Sequence, residues 1–117
     1  MLGILTTACF GGGESYELDA ITQAKIERAK DGQRVLSLQV RQASLYACPG
    51  VRRHRKPEGD YFTVVRCRVG AECAVDIPAS AAPTGESHAV VLPADTATTV
   101  YLQGASATRP VPESSSN

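Results

Sequence analysis

Four cysteines hold most of the reactive potential of this 117-residue chain: Cys9, Cys48, Cys67 and Cys73. A thiol can bond to another thiol, hold a metal or attack an electrophile, and spacing separates these uses. Cys67 and Cys73 flank Val69-Gly70-Ala71, between two runs that alternate apolar and polar residues, Asp60–Arg68 and Glu72–Ile77. A three-residue loop there predicts a hairpin in which Cys67 opposes Cys73, Val65 opposes Val75 and Arg68 opposes Glu72. A two-residue loop would mix polar with apolar partners, because a slip of one residue changes every pairing. Opposed strand residues have Cβ atoms about 4.5–5.5 Å apart, close to the ~3.8 Å of a disulfide. A stapling disulfide between Cys67 and Cys73 is therefore expected, against the alternative of two small buried thiols. Cys9 and Cys48 remain as a candidate second or intermolecular disulfide, with Cys9 followed by the spacer Gly11-Gly12-Gly13. Neither a metal nor a cofactor is expected: the chain has no CxxC and no Cys/His knuckle.

The second chemical feature is the basic run Arg52-Arg53-His54-Arg55-Lys56. Residues 34–68 hold eight basic and two acidic side chains. Such a run is a candidate partner-binding element, for an acidic protein neighbour or for phosphates, with Tyr61 and Phe62 as possible base-stacking rings. The domain as a whole is not basic, which favours a protein over a nucleic acid. Only His54 and His88 are available as histidine bases. His88 follows Glu86 and Ser87, but adjacency in sequence does not build a triad. No nucleophile elbow, phosphate loop, zinc-helix or dinucleotide fingerprint occurs. No catalytic residue is assigned, and a non-enzymatic role is expected.

The elements that would position these groups read as mainly β. Glu14, Glu17 and Asp19 lead into Lys25, Arg28 and Lys30 before Asp31-Gly32, and acid-then-base order predicts an amphipathic helix over 15–30. Strict alternation then predicts a strand at Leu36–Val40, with a short run over Ser44–Cys48 ending at Pro49-Gly50. Val51–Gly59 reads as a polar loop, and Asp60–Arg68 as the strongest strand. His88–Leu92 and Thr98–Gln103 predict two more strands around Pro93-Ala94-Asp95. The expected fold is a small β-sandwich or barrel with one N-terminal helix and extended terminal arms. The expected division is an arm over 1–13, a domain over 14–103 and an extended tail over 104–117.

Composition suggests that this domain gains from attachment. Leu, Ile, Val and Phe total 25 residues, Ala alone supplies 16, and there is no Trp. Ala buries little area, whereas each larger buried aliphatic contributes about 1.5–3 kcal/mol. Net charge is zero, yet residues 1–70 carry +4 and residues 71–117 carry −4, a split that suits head-to-tail contact. The apolar stretch Met1–Ala8 before Cys9 also resembles the end of a bacterial lipoprotein signal, without a basic leader. On that reading Cys9 is lipidated, the chain sits in the cell envelope, and a membrane becomes a partner.

The segment His88-Ala-Val-Val-Leu-Pro-Ala-Asp-Thr-Ala-Thr-Thr-Val-Tyr-Leu-Gln-Gly104 resembles the late strands of small β-rich phage accessory proteins, such as capsid decoration proteins. The resemblance covers about 17 residues. It implies a structural protein of a virion that clamps neighbouring subunits and forms homo-oligomers, with copies of itself or a capsid protein as partners.

Overall fold

A computed structural model describes residues 14–41, 45–81 and 87–114. The strands in chain order are β1 (Glu14–Ser15), β2 (Ile21–Arg28), β3 (Arg34–Val40), β4 (Tyr46–Ala47), β5 (Gly50–Lys56) and β6 (Gly59–Arg68). They continue with β7 (Ile77–Pro78), β8 (Ser80–Ala81), β9 (Ser87–Val91), β10 (Val100–Gln103), β11 (Thr108–Pro110) and β12 (Glu113–Ser114). One sheet runs β11-β10-β6-β5-β7, with β1 and β4 also bonded to β6; the other runs β12-β2-β3-β9-β8. Two contacts are parallel, β10 on β6 and β12 on β2. The sheets do not close into a barrel. They enclose one core, with Val51, Phe62, Val64, Val100 and Leu102 from the first facing Ile21, Ile26, Leu36, Leu38, Val40 and Val90 from the second.

The helix expected over 15–30 is absent. Only a single 3-10 turn at Leu18–Ala20 precedes β2. The reason lies in the spacing of Ile21 and Ile26. Five residues apart, they fall on opposite faces of a regular strand, so period two does not register. The register shift between Ile21 and Gln23 inserts one extra residue, pairing Ile21 with Val40 but Gln23 with Gln39. That bulge turns both isoleucines inward, where they are buried against Leu36 and Val40. Asp31-Gly32 closes a β2–β3 hairpin rather than ending a helix. Gly32 has φ +89, and the Gln33 N–H donates to Asp31 Oδ1 at 3.0 Å.

The polar loop expected over 51–59 is a strand. β5 pairs with β6 from Val51↔Val64 to Lys56↔Gly59. The hairpin expected between 60–68 and 72–77 does not form. β6 is paired instead with β5, β10, β1 and β4, and β1 takes the Val65 and Arg66 positions that the hairpin would need in part. The chain turns at Gly70 (φ +89), where the Ala71 N–H donates to the Arg68 carbonyl at 2.9 Å. It next joins a sheet only at β7, which pairs with β5.

The C-terminal segment is extended and docked on both sheets. β11 pairs with β10, the Val111 N–H donates to the Val100 carbonyl (2.9 Å), and β12 pairs with β2. Val111 is buried in the core where the chain crosses between the sheets.

Candidate functional site

The strand β6 organises the chemistry, and its two ends differ. Alternation directs Asp60, Phe62 and Val64 toward the core and Tyr61, Thr63, Val65 and Cys67 outward. At the Asp60 end, Arg53 and Arg55 of β5 lie on the inward side, because Arg53 is opposite Phe62 and Arg55 opposite Asp60. The Asp60 side chain is 2% exposed. It receives hydrogen bonds from Arg53 Nη2 and from the Ala97 N–H, both 3.0 Å, and pairs with Arg55 Nε at 3.4 Å. Burial alone would raise the Asp60 pKa. The Ala97 N–H and the two guanidiniums overcome this and hold it below the ordinary carboxylate value. Asp95 completes the cluster, bonded by Arg53 Nη2 at 3.2 Å and Arg55 Nη1 at 3.0 Å, and its pKa is lowered chiefly by Arg53.

The basic run is therefore split by the pleat. Arg53 and Arg55 are compensated within the fold by Asp60 and Asp95. Arg52 lies outward and donates from Nε to the Ala74 carbonyl at 3.3 Å. His54 is exposed on the same outward side, opposite Tyr61. Lys56 sits 4.4 Å from the Tyr61 ring centre. The other face of Tyr61 stacks on Tyr101, with centroids 4.6 Å apart. Phe62 is wholly buried. Neither ring thus presents a free face to a base, and the stacking role expected for them has no surface to act on.

At the other end of β6, Cys67 and Cys73 are bonded, with S–S 2.04 Å and Cα–Cα 6.0 Å. The bond joins a strand to a loop, not two strands of a hairpin. Asp76 fixes the far side of the loop: its Oδ2 accepts from the Arg53 N–H (2.7 Å), and its own N–H donates to the Val51 carbonyl (2.8 Å). With Arg52 bonded to Ala74, residues 71–76 lie against the outward face of β5 and β6, where Val65 is also buried. Beside the loop, the Val69 N–H donates to the Leu45 carbonyl at 2.9 Å. Leu45 and Val69 are 58% and 63% exposed. Among the described residues, only Val91 joins them as an exposed large apolar side chain. Arg66 lies over the Tyr46 ring at 3.9 Å, on the opposite face of these strands.

Cys48 is a buried free thiol in the core beside Tyr16. Burial pushes its pKa up to about 11, only partly offset by the Gly50 N–H, so it stays protonated and unreactive at neutral pH. Its expected companion, Cys9, lies outside the described residues. His88 points inward opposite Leu38, whereas Ser87 points outward, so the strand holds the two apart. What sequence reading missed is the pair Asp60 and Asp95. Asp95 reaches β5 from 40 residues away, and no local pattern announces that pairing.

No protein-family model, curated protein or solved structure matches this chain.

Proposed function

We propose that the chain is a non-enzymatic structural protein of a virion or comparable assembly, in a capsid decoration or connector role. It binds a neighbouring protein subunit, a copy of itself included, through the Leu45–Val69 end of its first sheet. The observation that carries this reading is the exposed pair Leu45 and Val69, held together by a backbone hydrogen bond beside the Cys67–Cys73 bond. Apolar side chains on a braced surface lose little conformational freedom when covered. The basic strand contributes less than its composition suggests, because Arg53 and Arg55 are already paired with carboxylates. That compensation also weakens the reading of 52–56 as a nucleic-acid site. Attachment through a lipidated Cys9 rests on residues outside those described.

Analytical ultracentrifugation of the full chain over a concentration series tests the proposal. Self-association and a concentration-dependent melting temperature are expected. The double variant Leu45→Ser/Val69→Ser is expected to sediment as a folded monomer. A wild-type chain that is monomeric throughout, with melting insensitive to concentration, would count against assembly through this surface.

A further inference from the structure

The second sheet carries a groove on the face turned away from the core. Its position follows from register. Gln23 of β2, Gln39 of β3 and Ser87 of β9 form one cross-strand row. Lys25, Ser37, Ala89 and Ser80 form the next. Both rows face outward, because the alternate residues Ile26, Leu36, Leu38 and Val90 are buried. With Leu38, Ala81 and His88 of the row between, they line a cavity of about 360 Å³, within the range of roughly 300–1,000 Å³ typical of small-ligand sites. The short side chains Ser37, Ser87 and Ala89 make the floor, and the longer Gln23, Gln39 and Lys25 make the rim.

The chemistry of this groove is neutral and two-sided. Carboxamides and hydroxyls both donate and accept hydrogen bonds. Ser37 donates to Glu27 Oε1 at 3.1 Å, which leaves its oxygen as an acceptor. The one cation, Lys25, is paired with Glu27 at 3.3 Å. An anion would find no uncompensated charge here. Hydroxyl groups match the carboxamides, and the predominantly apolar remainder of the lining, Ala89 included, offers its surface to a ring face.

We propose that this groove binds a neutral, hydroxyl-rich ligand the size of one or two sugar rings. The site lies on the opposite sheet from Leu45 and Val69, so it does not depend on the assembly reading. A groove this open predicts weak binding, with a Kd on the order of 1 mM.

The test is an NMR titration of the isotope-labelled full chain with maltose, cellobiose and N,N′-diacetylchitobiose in turn. At least one is expected to shift the side-chain amide signals of Gln23 and Gln39 saturably. Ala89→Phe, which fills the floor from the solvent side, and Gln39→Ala, which removes one carboxamide, are each expected to weaken binding about tenfold or more. Unchanged melting temperatures report that the variants fold. Sulfate serves as an anionic probe and is expected to leave these signals in place. The proposal is overturned if no disaccharide moves the two glutamine signals, if sulfate moves them more than the sugars do, or if both variants bind as the wild type does. None of these results alters the sedimentation outcome, so failure here is separable from failure of the assembly reading.

Discussion

The two ends of β6 solve opposite problems. At the Asp60 end the chain takes charge out of water and must satisfy it: one carboxylate with a 2% exposed side chain meets two guanidiniums and a backbone N–H. At the Arg68 end the chain leaves apolar side chains in water, with Leu45 and Val69 exposed beside a covalent brace. The first end is closed on itself and serves the fold. The second leaves Leu45 and Val69 largely exposed, and it is the end through which we propose that a neighbour binds. A conspicuous charge run need not be free charge, because the fold can supply its counter-charges from elsewhere in the chain.

This contrast can be broken most severely at Asp60. Asp60→Ala leaves Arg53, whose side chain is 15% exposed, short of its buried partner. Removing one member of a buried pair costs about 3–5 kcal/mol, and the expected reading is a large drop in the urea midpoint. Acid should reach the same contact in the wild type. The folded pKa of Asp60 lies below its unfolded value. Its contribution is therefore fully present above the unfolded pKa and is lost as pH falls through the folded one. Urea unfolding across the acid range should show stability falling below the ordinary carboxylate pKa. Asp60→Asn should flatten that slope, and an unchanged slope would remove Asp60 from the account.

At the opposite end, replacing both Cys67 and Cys73 by Ser should cost less. The closed loop is short, so about 2 kcal/mol is expected from thermal unfolding. Hydrogen exchange should quicken in residues 71–76 while the Ala97 amide bonded to Asp60 remains protected. Equal loss of protection at both ends would mean that they are one cooperative unit.

The smallest effect on stability is expected at the exposed pair. Leu45→Ser/Val69→Ser should move the unfolding free energy by no more than about 0.5 kcal/mol, as surface changes usually do. Its effect belongs on association instead. A double variant that both unfolds easily and still associates would invert the comparison between the two ends.

How much of this was legible depended on whether the relevant spacing was local. Leu36, Leu38 and Val40 alternate without interruption, and β3 is where that pattern places it. The strands β6, β9 and β10 follow the same rule. β2 broke it, because a bulge shifts the face between Ile21 and Ile26, leaving neither a helical nor a strand period. β5 looked like a solvated loop, because two of its inward positions are arginines whose counter-ions lie elsewhere in the chain. The cysteine bond was anticipated, although the hairpin invoked for it was not formed. The bond needs only two sulfurs within reach, and a six-residue separation across a turn supplies that in more than one backbone geometry.

By itself, then, the amino-acid order determined the β character, the uninterrupted strands and the proximity of Cys67 to Cys73, because each depends on residues close together along the chain. Tertiary structure decided which strand edges were still free, which charges were neutralised and which aliphatic side chains stayed in water. Those outcomes depend on residues tens of positions apart competing for the same hydrogen bonds and the same buried volume, and no local window contains that competition.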